Sequence, residues 1–139
     1  MYGNLYLVST PIGNLEDLTF RAVKILSSVD IILAESVERT KKLLSHYDID
    51  AKVISFNKDN EKRKTKDVIT YLQNSKNIAL VSDAGTPSIS DPGYYLLSNI
   101  DEKVKIIPIP GVSSITCALS VSKIPMNGFT FLGFLPKKE

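Results

Sequence analysis

The chain has 139 residues, 43% of them hydrophobic, which is material for one core of ordinary size and too little for a second domain. Its 17 basic and 15 acidic residues leave a formal charge of +2, too even a balance to indicate nucleic-acid binding by itself. A single cysteine, Cys117, beside a single histidine, His46, excludes an internal disulfide and a structural zinc site; with no bilayer-length apolar run and no secretory signal pattern, a cytoplasmic protein without metal or membrane attachment is expected.

In chain order, Leu5–Val8 is the first short apolar run and reads as a strand, followed by a loop over Ser9–Asn14. Leu18, Ala22, Ile25 and Val29 then share one face of a helix, which Asn14, with Asp17 three residues on, would cap. Ile31–Ala34 is a second strand, and Ser36 caps a helix running to Tyr47, with His46 near its end at the surface. Val53–Ser55 predicts a third strand, and residues 61–74 a third helix.

Ile78–Val81 is the fourth strand. Asp91 and Pro92 form an N-cap and first-turn pair for a helix over Pro92–Ser98. Val104–Ile109 predicts a fifth strand and Gly111–Ser122 a fifth helix, in which Cys117 reads as a small core residue. Phe129–Leu135 is again strand-like, and a domain boundary is expected near Pro136. Strands alternating with helices imply right-handed crossovers, hence an α/β fold: an open, mostly parallel five-stranded sheet flanked by helices. Such sheets bind ligands beyond the carboxyl ends of their strands, the edge on which Ser9–Asn14, Ser82–Pro92 and Pro110–Ser114 would all lie.

Ser82–Pro92 is the most unusual of these. Its eleven residues hold three serines, two aspartates, two prolines, a threonine and a glycine, a composition that sets backbone shape and offers many hydrogen-bonding groups. An ordinary strand–helix turn needs only about two to six residues, so a binding loop is favoured, with Gly85 admitting positive φ or close approach. Neither GxxxxGK[ST] nor GxGxxG occurs, which disfavours nucleoside triphosphates and points to a cofactor without phosphates.

The strings LYLVSTPIGNLEDLTFRA, LVSDAGTPSISDPG, IPIPGVSS and FLGFLPKK occur in an order and spacing that resembles the 16S rRNA cytidine 2′-O-methyltransferase family, of the tetrapyrrole-methylase fold. The resemblance covers essentially the whole chain. It implies that residues 1–135 form the N-terminal domain of an S-adenosylmethionine cleft, that residues 136–139 begin a linker to a second α/β domain, and that the protein is a homodimer acting on 16S rRNA in the small ribosomal subunit. It assigns Pro11, Ala84, Gly85, Thr86, Ile89, Ser113 and Ser114 to the cofactor, largely through backbone groups. Locally, Pro11 also reads as a rigid loop proline, and Ser113 and Ser114 as helix-capping residues.

The sequence departs from the family's A-E-D-T-R string, having Ser36, Val37 and Glu38 after Ala34 and Glu35, with Arg39 one position late. It also has Asn57 where histidine is common, and Val112 and Ser114 where proline and alanine are common. Of the acids able to accept a ribose hydroxyl proton, Glu35 ranks ahead of Asp83, with Asp91 assigned to capping; a surface acid at the start of a helix is the other reading of Glu35. Lys58, Lys62, Arg63, Lys64 and Lys66 lie within nine residues, offering phosphate contacts together with Arg39, or simply a solvated helix start. A tetrapyrrole C-methyltransferase and a non-catalytic RNA-binding or assembly module are the competing functions, and the isolated 139-residue chain is expected to be inactive.

Overall fold

The computed structural model describes residues 1–138. Five parallel strands, β1 (Leu5–Val8), β2 (Ile31–Ala34), β3 (Val53–Ser55), β4 (Ile78–Val81) and β5 (Ile106–Ile109), form one sheet in the order β3-β2-β4-β1-β5. Between and after them lie α1 (Phe20–Ser28), α2 (Val37–His46), α3 (Glu61–Gln73), α4 (Tyr94–Asn99) and α5 (Ser114–Ser120).

The two-residue period of a strand divides the core. In β2, Ile32 and Ala34 join one apolar cluster and Ile31 and Leu33 the other; in β4, Ala79 and Val81 separate from Ile78 and Leu80 in the same way. The first cluster takes Ala22 and Leu26 of α1 with Leu43 and Leu44 of α2, and the second takes Val68 and Leu72 of α3 with Leu96 of α4. Both faces being covered, β2 and β4 are apolar at every position, as buried parallel strands require.

The chain passes from β1 to β2 to β3 over one face and from β3 to β4 to β5 over the other. Connections of one hand must change face when they change direction across the sheet. The reversal places β4 beside β1 with their following helices on opposite faces. This opens a crevice at their carboxyl ends.

Several local expectations change. Thr19, not Asn14, caps α1, its hydroxyl accepting from the Ala22 N–H at 3.0 Å, while Asn14 makes its own turn by accepting from the Glu16 N–H. Asp91 does not cap α4, which starts two residues after Pro92 with Gly93 in the cap position. Gly93 has φ 136°, and a Cβ there would meet Leu80 Cδ2 at 3.0 Å and Ser88 Cβ at 3.1 Å, so the chain turns where only glycine fits. Val104 is buried but precedes β5, because its N–H closes a turn on the Asp101 carbonyl.

The fifth helix is shorter than its pattern suggests and buries no residue, so Cys117 is exposed rather than in the core. Phe129–Leu135 forms no strand: it pairs with no sheet edge, and Phe129, Phe131, Leu132, Phe134 and Leu135 are all exposed. His46 lies at the surface, as expected. Among the described residues no helix is long and apolar enough to cross a membrane.

Candidate functional site

Three loops leave the carboxyl edge around the crevice. The first and second are locked together: Thr10 N–H donates to the Gly85 carbonyl at 3.0 Å and Gly85 N–H returns to the Thr10 carbonyl at 2.9 Å. Beside this bridge Ser9 Oγ lies 2.9 Å from Thr86 Oγ1, and Thr10 Oγ1 donates to the Ser82 carbonyl at 3.1 Å. Ser9, Thr10 and Ser82 are buried, so their hydroxyls are spent on holding the loops in register. Sequence reasoning placed all three in the loops Ser9–Asn14 and Ser82–Pro92 but gave none of them a role of its own. Their signal was polar residues directly following an apolar strand.

The loop after β4 is strained as well as tied. Within nine residues Gly85, Ser88, Ser90 and Gly93 all adopt positive φ, and for the two serines this costs about 1 kcal/mol or more each. At its far end the Gly93 N–H donates to Glu61 Oε2 at 3.2 Å, so the start of α3 clamps the loop.

The loop and the turn before α5 enclose a cavity of about 560 Å³, in which Ala84, Gly85, Thr86, Ile89, Ser113 and Ser114 come together. Six of the seven residues assigned to the cofactor thus share one wall. Pro11 does not; it lines a separate recess of about 260 Å³ with Arg39 and Asp83. Ser113 is the cap residue of α5, but its side chain makes no capping hydrogen bond.

Ser90, Asp91 and Phe134 also line an adjoining cavity of about 710 Å³ that contains Glu35, Lys58 and Tyr94. Here the acids gather. Burial and, next, the charges of Asp83 and Asp91 push the Glu35 carboxyl above its ordinary range, with a backbone hydrogen bond involving Asp83 and the charge of Arg39 pulling the other way. Asp91 is raised too, by burial first and by Asp83, against the Ser82 hydroxyl. Among the described residues these acids do not form a ligand set for a metal ion. A carboxylate whose pKa is raised is a stronger base than a solvated one.

Asp83 organises the approach to Glu35. Its carboxylate accepts from the Ser36 N–H at 3.0 Å and meets Arg39 Nη1 at 3.6 Å. Arg39 is therefore aimed at the loop after β4, although largely exposed.

The basic stretch divides. Lys58 reaches the cavity beside Glu35, and Lys62 lies over the Tyr95 ring at 5.9 Å. Arg63 is exposed, whereas Lys64 donates to the Ser55 carbonyl at 2.7 Å and is engaged in the fold.

Residues 4–137 match the profile of a family described as Tetrapyrrole (Corrin/Porphyrin) Methylases. The chain belongs to that family. This methylase-family chain is 50% identical over 138 residues to "Ribosomal RNA small subunit methyltransferase I" of Buchnera aphidicola subsp. Baizongia pistaciae, covering 99% of itself and 47% of that protein. It is 51% identical to the protein of the same name from Halalkalibacterium halodurans, covering 99% of itself and 48% of the relative, and 48% identical to that from Thermotoga maritima, covering 97% and 61%. The chain spans about half the length of the curated relatives it matches.

Solved structures share the fold at lower identity. The uroporphyrin-III-C-methyltransferase of Thermus thermophilus superposes with a TM-score of 0.62 at 21% identity, over 91% of this chain and 54% of the other. A conserved protein of Aeropyrum pernix K1 superposes with a TM-score of 0.69 at 19% identity, over 94% and 46%.

Proposed function

We propose that the full-length protein transfers a methyl group from S-adenosylmethionine to the 2′-oxygen of a cytidine ribose in 16S rRNA of the small ribosomal subunit. The observation that carries this reading is identity near 50% along almost the whole chain to proteins named for small-subunit ribosomal RNA methylation. The cytidine and its 2′-oxygen come from the motif resemblance. A tetrapyrrole acceptor is not favoured, because likeness to the uroporphyrin enzyme at 21% identity speaks for the fold alone.

The residues of the 560 Å³ cavity suit S-adenosylmethionine: the Ala84 N–H and the hydroxyls of Ser113 and Ser114 offer polar partners, Thr86 Oγ1 keeps hydrogen-bonding capacity beside its contact with Ser9, Gly85, its own N–H and carbonyl paired with Thr10, admits close approach, and half-exposed Ile89 offers an apolar face for an adenine ring. When bound there, the cofactor supplies an activated methyl group. Pro11, next to Thr10 in the chain, helps shape the first loop beside the Thr10–Gly85 bridge.

Two raised carboxylates line the cavity next to that of the cofactor; Asp91 also borders the cofactor's own cavity, and Glu35, which does not, takes the ribose hydroxyl proton. Arg39, Lys58, Lys62 and Arg63 provide positive charge for RNA phosphates; Lys64 contributes through its hold on Ser55.

Residues 1–135 act as one wall of the cleft, and residues from Pro136 onward lead toward a second α/β domain. The longer relatives and the exposed apolar residues Val121, Ile124, Met126, Phe129, Phe131, Leu132, Phe134 and Leu135 support this arrangement. The protein works in the cytoplasm as a homodimer, and residues 1–139 alone bind the cofactor weakly and transfer no methyl group.

Comparing cytidine 2′-O-methylation in 16S rRNA from cells with and without the gene tests the reading. Loss of one modified position on deletion, restored by the gene, is expected. An unchanged methylation pattern would overturn it in favour of a non-catalytic module.

A further inference from the structure

The cavity of about 710 Å³ has a mixed lining. Four acids, Glu35, Asp59, Glu61 and Asp91, share it with one cation, Lys58 on the turn before α3, and with Tyr94 at the start of α4. Tyr94 is 76% exposed, although Leu96 two residues later is fully buried and anchors the same helix. A large ring held in water on an anchored backbone is available for stacking.

The turn carrying Lys58 is equally well held. Asn57 and Asn60 exchange hydrogen bonds, the Asn57 N–H donating to Asn60 Oδ1 at 2.9 Å and the Asn60 N–H to Asn57 Oδ1 at 3.2 Å. Both side-chain amides donate to Ser55 Oγ, at 3.3 Å and 3.0 Å, and Lys64 fastens the Ser55 carbonyl. Lys58 itself is exposed and makes no ion pair among the described residues.

We propose that Tyr94 and Lys58 together hold the acceptor nucleotide of an unpaired RNA segment, the Tyr94 ring stacking on a base and the Lys58 ammonium meeting a phosphate. The ribose between them then faces Glu35. This rests on the RNA-methylation reading and adds to it the element that seats the nucleotide. A recess of this size takes one splayed-out nucleotide and not a duplex, and an aromatic face paired with a cation is the usual means of gripping one. Stacking accepts any base, so Tyr94 places the nucleotide without choosing cytidine.

The test uses the full-length protein with small ribosomal subunits lacking the modification. Tyr94→Ala should raise KM for the subunits about tenfold or more, with S-adenosylmethionine affinity and melting temperature unchanged, and Tyr94→Trp should restore it. The indole in Tyr94→Trp should be quenched saturably by an octacytidine RNA beyond any change the parent shows, and more weakly once Lys58→Gln is added.

If the parent transfers methyl groups and Tyr94→Ala does so at unchanged KM, the stacking role is overturned and the methyltransferase reading stands. A Tyr94→Ala variant that melts several degrees lower with cofactor binding reduced would make Tyr94 a packing residue and overturn the proposal equally. A parent that methylates no small-subunit RNA removes both.

Discussion

Asp83 Oδ1 accepts from the backbone N–H of Ser36 at 3.0 Å, joining the loop after β4 to the first turn of α2 across 47 residues of sequence. Glu35 is the residue immediately before that N–H. The position of the candidate base is thereby set by another loop's carboxylate, and the two acids are close enough to raise the Glu35 pKa.

Replacing Glu35 with Gln in the full-length protein should lower kcat by about 10²- to 10⁴-fold, the range for loss of a general base, with cofactor affinity retained. Single-turnover methyl transfer and calorimetry would check this. An unchanged rate removes Glu35 from the chemistry.

The rate should rise with pH as Glu35 ionises, with a midpoint above the ordinary carboxylate range. Asp91 contributes only repulsion to that shift, so Asp91→Asn should move the midpoint down. Stability follows the opposite sign. A carboxyl whose pKa is raised by folding binds its proton more tightly in the native state, so ionising it costs stability as pH climbs from the unfolded pKa through the folded one. Glu35→Gln should therefore melt slightly higher than the parent at pH 7, with the difference vanishing below the ordinary carboxylate range. Melting curves across pH 3–8 give the comparison.

Gly93→Ala should cost about 1–3 kcal/mol, since alanine at φ 136° is strained and its Cβ would press on Leu80 and Ser88. The same variant should weaken cofactor binding, because Gly93 ends the loop that lines the cavity. Urea unfolding followed by titration with S-adenosylmethionine would measure both.

Thr19→Ala should destabilise by about 1 kcal/mol through loss of the cap on α1, and Asn14→Ala by less, as Asn14 serves only its own exposed turn. Equal losses would return the capping role to Asn14.

Among the lysines, Lys58→Gln should reduce the salt dependence of RNA binding by about one counterion. Lys64→Met should instead lower the melting temperature, because it leaves the Ser55 carbonyl without its charged donor. Binding at 50 and 200 mM salt, with melting curves, separates the two.

Four of the five strands could be bounded from sequence because short apolar runs between polar or glycine- and proline-containing stretches are a local property, and the first helix was located by the 3.6-residue period of its apolar face. Where local patterns competed, tertiary contacts decided. Asp91–Pro92 has the form of a helix start, yet the chain turns at Gly93 because the Leu80 side chain and Ser88 leave room only for glycine there. Phe129–Leu135 has the apolar content of a strand, but a strand exists only where a neighbour supplies hydrogen bonds, and none does so among the described residues.

The loop Ser82–Gly93 stood out as an unusual loop by itself, since its length, glycines and hydroxyl-bearing residues are read along the chain. Its partners did not. The Thr10–Gly85 bridge, the Asp83–Ser36 bond and the Glu61–Gly93 clamp join residues 32 to 75 positions apart, and only the strand order that sets β4 between β1 and β2 brings them together. Sequence by itself determined where the strands run and the composition of the loop after β4, because residue type and local period are written in it. The tertiary structure decided that three acids from two loops share one field and that Tyr94 stands in water beside them, because charge repulsion and exposure depend on distances that no single segment contains.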